Sequence, residues 1–196
     1  MHNSQFMLRI LQSATIGVLL LAAPVGARQA APPRVNPNAA TIKEFMSRVD
    51  AYVAIHKKAE STLPGLARQT TPQEIDKHQR ALAALLQEAR KTAKPGDIFT
   101  PAMQRLVRTL LRPIFAGKDG IQIKGEIVDN EYKGSVKLAV NGRYPDDVPI
   151  STVPPQVLAQ LPRLPEELEY RFIQTNLILF DTHAHTIADY VVGAFK

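Results

Sequence analysis

Prolines at positions 145, 149, 154, 155, 162 and 165 divide this chain more firmly than any other feature of it. Each lacks a backbone N–H and fixes φ, so a run this dense excludes a long helix or a central strand between Tyr144 and Pro165. The segment also carries Val153, Val157, Leu158 and Leu161, which need burial, so it reads as a strap over apolar surface and not as a linker between independent domains. At most it admits a helical turn or two from Pro155, using Val157, Leu158 and Leu161.

Regular structure must therefore lie on either side of the strap. Ahead of it, apolar side chains recur at three- and four-residue steps. Ile42, Phe45, Met46, Val49, Val53 and His56 predict a first helix from Asn38 to about Ser61, stopped by Leu63-Pro64-Gly65. Thr71, Pro72 and Glu74 form a capping-box signature ahead of Ile75, Leu82, Leu85, Leu86 and Ala89. Thr100-Pro101 opens a third helix through Met103, Leu106, Val107, Leu110, Leu111, Ile114 and Phe115 toward Gly117, with Pro113 expected to kink or shorten its last turn. Residues 121–131 fit a strand or a fourth helix, and helix is preferred. Val136, Leu138 and Val140 alternate into Asn141-Gly142, the pattern of a strand and turn. Beyond the strap, Tyr170–Ile173, a turn at Thr175-Asn176, Leu177–Phe180 and Ile187–Val192 predict a β-meander. The expected fold class is α+β: a bundle of three helices, or four, over residues 38–118, packed with an antiparallel sheet of three or four strands within residues 134–196, as one domain spanning 38–196.

The N-terminus predicts export. Arg9 is a positive n-region, Ile10 to Ala23 is almost continuously apolar, and Pro24-Val25-Gly26-Ala27 supplies small residues, so residues 1–27 read as a signal peptide cleaved after Ala27. The apolar stretch is short of the roughly 20 residues a membrane span needs, so no transmembrane span is expected after cleavage, although a retained anchor is the alternative. Residues 28–37, with Pro32, Pro33 and Pro37, form an extended leader. The expected location is periplasmic or secreted. With no cysteine in the chain there is neither a lipid-anchor site nor a disulfide framework, and the fold must rest on its core.

The formal charge of +6 is spread over lysines and arginines standing singly and in pairs, with no run of five or six, which argues against a nucleic-acid partner. It is also uneven: Thr41 to Lys118 holds 14 Lys and Arg against 7 Asp and Glu, whereas Asp119 to Lys196 holds 7 against 11. Attraction between the two halves of one molecule is the simplest consequence.

Asp181-x-His183-x-His185 is the most chemical segment. A carboxylate and two imidazoles at alternate positions of an extended chain would share one side and suit zinc, nickel or copper, with Asp189 as a fourth ligand. The plainer alternative is a polar turn in which Asp181 caps the loop backbone. No cofactor is predicted from any motif, so a divalent transition metal on that triplet is the alternative to none. His56 and His78 lie at or beside the apolar stripes of their helices, where ordinary packing is expected. Asp146, Asp147, Glu166, Glu167 and Glu169 read as loop and helix-start charges and not as a glycosidase pair. No catalytic residue is predicted, since Ser135, Ser151 and Thr152 lack a nucleophile elbow. The leading expectation is a non-enzymatic binding or structural module that meets an envelope protein or surface partner through the strap and sheet edge. A metal-binding or metal-responsive protein and a cell-wall glycan enzyme are the alternatives.

The runs Asn141-Gly142-Arg143-Tyr144-Pro145, Val153-Pro154-Pro155, Leu161 through Phe172 and Leu177-Ile178-Leu179-Phe180-Asp181 resemble a group of uncharacterised exported proteins of soil and acidobacterial type. Over about 25 residues, the final meander is remotely similar to the C-terminal element of periplasmic nickel/cobalt homeostasis regulators. Both resemblances imply an envelope location, and the second implies a small sheet.

Overall fold

Thr71 accepts a hydrogen bond from the Glu74 N–H while the Glu74 carboxylate accepts from the Thr71 N–H at 2.7 Å, so the predicted capping box is formed. In this computed structural model, which describes residues 36–127, 136–150 and 152–195, the box opens the second of five helices. Residues 1–35, with the predicted signal peptide and most of the leader, lie outside the described residues. Helix α1 is Ala39–Glu60, α2 Pro72–Ala89, α3 Pro101–Ala116, α4 Gly120–Ile127 and α5 the single turn Pro155–Leu158. Three strands follow, β1 Leu168–Ile173, β2 Asn176–Asp181 and β3 Thr186–Val191, antiparallel in the order β1-β2-β3. The α+β class expected from the sequence is the one observed.

Several local expectations need correction. Residues 136–140 form no strand; the chain instead meets the edge of β3 with its next residues, through Asn141 N–H to the Ile187 carbonyl, Ile187 N–H to the Gly142 carbonyl and an isolated bridge from Arg143 to Thr186. Asn141 takes a left-handed φ of 60°, and its side-chain amide bonds with Arg90, so Asn141-Gly142 docks a loop on α2 instead of turning a hairpin. Among the described residues the sheet therefore has three strands. Helix α3 continues through Pro113 to Ala116. Leu158, Ile75 and Leu85 are exposed, so the buried stripes of the strap turn and of α2 are narrower than their sequence patterns.

Both sheet faces are covered. Leu168, Tyr170, Phe172, Leu177 and Leu179 join the main core with Phe45, Val49, Leu86, Phe99, Met103, Leu111 and strap residues Val153, Val157 and Leu161. Ile173, Ile178, Phe180 and Ile187 face a smaller core closed by Tyr144 and Val148. Tyr144, Tyr170 and Phe172 are thus core residues. Ion pairs Lys57–Glu167 and Arg80–Asp146 join the basic half to the acidic half, as the charge asymmetry implied.

Two consequences of the register matter for the site. Alternation along β2 puts Asp181 on the same face as Leu177 and Leu179, toward the helices. On β3 the pairing shifts between Leu179/Phe180, so that Leu179 opposes Asp189 while Phe180 opposes Ile187. Ala188 is the extra residue of this bulge, and it turns Asp189 as well toward the helical face.

Candidate metal centre

The apolar stripe of α1 runs through Phe45, Val49, Tyr52 and Val53 and ends in His56 and Glu60, each one turn beyond the last. That spacing carries Tyr52 and His56 onto Asp181 at the end of β2. Asp181 is fully buried, and its Oδ2 accepts from the Tyr52 hydroxyl and from His56 Nδ1, both at 2.6 Å. Its Oδ1 accepts from the His183 N–H at 3.1 Å and the Ala184 N–H at 2.8 Å, fixing the four-residue turn between β2 and β3. One carboxylate thus ties the first helix to the last hairpin. The Arg90 guanidinium covers the Tyr52 ring at 4.7 Å, and burial together with Asp181 pushes the Tyr52 phenol well above its ordinary pKa.

Beyond Asp181 three ligand-type side chains converge. His56 Nε2 lies 3.3 Å from Glu60 Oε2, and His183 Nδ1 lies 2.9 Å from Glu60 Oε1. One ligand atom from each of His56, Glu60 and His183 falls within 4.8 Å of the others. Burial works against a charge on the His56 ring, but the hydrogen bond it donates to Asp181 and the charges of Asp181 and Glu60 outweigh it and hold its pKa above the usual imidazole value. Glu167, almost fully buried and paired with Lys57 at 2.9 Å, adds negative charge nearby; burial alone would raise its pKa, yet Lys57, with help from His56, keeps it lowered.

The tautomer follows from these bonds. A carboxylate only accepts, so the His56 Nδ1 facing Asp181 carries a hydrogen and, in the neutral ring, Nε2 is left with its lone pair aimed at Glu60. Two acceptors 3.3 Å apart need a cation between them, either a proton on the ring or a metal ion. Two imidazole nitrogens and one carboxylate are a donor set for zinc, nickel, copper or iron. A buried aspartate behind a ligating histidine is the usual outer-layer support. Glu60 and His183 are 32% and 43% exposed, so the group opens to solvent and leaves coordination positions for water or an outside ligand.

The triplet read from the sequence is therefore split. His183 is in the group, and Asp181 stands behind it as the orienting carboxylate while also capping the loop backbone. His185 is not in it: with φ of 52° its ring turns to the opposite side, against Tyr144 and Phe180, 3.8 Å from Asp146, and burial with Arg143 lowers its pKa. Alternation fails because residues 182–185 are a turn and not extended chain. Asp189 is no ligand either, since its carboxylate is taken by four backbone N–H groups. His56, expected only to pack, belongs to this group of ligand-type side chains, while His78 lies apart on α2. Glu60 was missed; its signal was a histidine and a glutamate four residues apart at the polar end of an apolar stripe. Of the other acids, Asp146 pairs with Arg143 and Glu169 with Arg171.

Comparison with family models, with curated proteins and with solved structures found no match. Among the described residues, no helix is long and apolar enough to cross a membrane.

Proposed function

We propose that this chain is an exported metal-binding module that holds one divalent transition ion on His56, Glu60 and His183, with Asp181 setting the His56 ring. One observation carries the assignment: His56 Nε2 and Glu60 Oε2 face each other at 3.3 Å while Asp181 occupies the other nitrogen of the same ring. The surrounding carboxylates of Asp181 and Glu167 favour a cation there, and the partial exposure of Glu60 and His183 gives it a route in. Binding without turnover is the role this site supports, which is the metal-binding alternative from the sequence and not its leading expectation of a module that meets an envelope partner through the strap and sheet edge.

Metal-free protein titrated with zinc, nickel and copper is expected to take up one ion. His183→Ala and Glu60→Gln should each weaken binding by about tenfold or more, whereas His185→Ala leaves it unchanged. The ion competes with the proton on His56, so affinity rises as pH increases through that residue's raised pKa. No uptake of any of the three ions, or uptake indifferent to His183→Ala and Glu60→Gln, would refute the assignment.

Export rests on the n-region, apolar stretch and small-residue end of residues 1–27. Protein recovered from the periplasm or medium is expected to begin at Arg28, as read by intact mass. Cytosolic protein retaining Met1 would remove the envelope from this proposal.

A further inference from the structure

At the opposite end of the sheet from the β2–β3 turn, α3, α4 and the chain after β3 line an open cleft of about 290 Å³. Its apolar lining is Phe115, Ala116, Ala194 and Phe195, with Phe115 stacked on Phe195 at 4.1 Å between ring centroids; Phe172, in the core and not in the lining, meets both rings edge-on. Its rim is cationic. Arg108 and Arg112 stand one turn apart on α3, and Lys124 faces them from α4. Among the described residues no acidic side chain lines the cleft, and neither Arg112 nor Lys124 has a hydrogen bond or ion pair. Arg108 is fixed in place, donating to the carbonyls of Val192 at 2.7 Å and Gly193 at 3.2 Å.

Like charges one helical turn apart repel, and a third cation brought up from a second helix adds to that repulsion. Arginines at several other places have acidic partners, Arg48 with Glu44, Arg80 with Asp76 and Arg143 with Asp146. Here, among the described residues, Arg112 and Lys124 stand without a counter-charge beside the stacked rings of Phe115 and Phe195. A small amphipathic anion answers both halves of the arrangement, its head taking the guanidinium forks and ammonium and its tail covering the phenyl rings. We infer that this cleft is a binding site for a carboxylate carrying a short alkyl chain, separate from the metal centre and independent of it.

Calorimetric titration of the mature protein with sodium octanoate tests this. One molecule is expected to bind, with octyltrimethylammonium and acetate each at least about tenfold weaker, since each offers only half of the match. Arg112→Gln combined with Lys124→Gln should lower octanoate affinity by about tenfold or more without changing the melting temperature, because both side chains lie at the rim. His183→Ala should leave octanoate binding intact, which separates this site from the metal centre. Equal binding of octanoate and octyltrimethylammonium, or affinity unaffected by the double substitution, would overturn the inference. So would absence of octanoate binding in protein that sediments with phosphatidylglycerol vesicles, an outcome that would make the basic rim a membrane contact.

Discussion

Asp181→Ala is expected to lower the stability of the metal-free protein by about 3–5 kcal/mol, read as the shift in urea midpoint at constant m-value. The substitution leaves the Tyr52 hydroxyl, a buried imidazole and two turn N–H groups without their acceptor at once, around a carboxylate that is itself fully buried. Asp181→Asn keeps the shape but offers only one acceptor oxygen, so it should fold better than the alanine variant and still bind metal about tenfold to a hundredfold more weakly, because the His56 tautomer is no longer set. An alanine variant as stable as the parent would show that Asp181 does not join α1 to the last hairpin.

Asp189→Ala is expected to cost about as much, roughly 3 kcal/mol or more, for a purely structural reason. Its Oδ2 accepts from Ile98 N–H at 2.8 Å and Phe99 N–H at 2.7 Å, and its Oδ1 from Gly96 N–H at 3.0 Å and Tyr190 N–H at 2.8 Å. These bonds hold the loop that carries Ile98 and Phe99 into the core just before α3. Asparagine is no remedy here, since its NH₂ would face N–H donors, so Asp189→Asn should be nearly as unstable as alanine. The contrast with Asp181→Asn is the informative result, measured in the same urea titrations; equal tolerance of asparagine at both positions would contradict the bonding described.

The helices were legible because their start and stop signals are local: Thr71 and Thr100 cap, Pro72 and Pro101 follow, and apolar spacing does the rest. The meander was legible from β2, whose four apolar residues in succession match a strand covered on both faces. What periodicity could not give was the fate of residues 136–140, because Val136 and Leu138 satisfy their need for burial by packing on the smaller core without pairing as a strand. The site was half legible. His183 and Asp181 stood out by chemical type, but their separation into ligand and support depends on a turn geometry that alternation misassigns. Asp189 was offered as a fourth ligand by chemical type, but its carboxylate is taken by N–H groups of the 96–99 loop, a contact across about ninety residues that no local pattern reports. His56 and Glu60 lie more than a hundred residues from His183, and no local pattern reports a contact at that distance.

The chain has no cysteine with which to fasten its beginning to its end. Yet the candidate metal centre draws His56 and Glu60 from α1 and His183 from the β2–β3 turn. An ion seated there would act as a reversible clasp between segments more than a hundred residues apart, present when metal is plentiful and open when it is scarce. The protein's resistance to unfolding would then track the ionic supply of its surroundings, a dependence that a covalent crosslink could not provide.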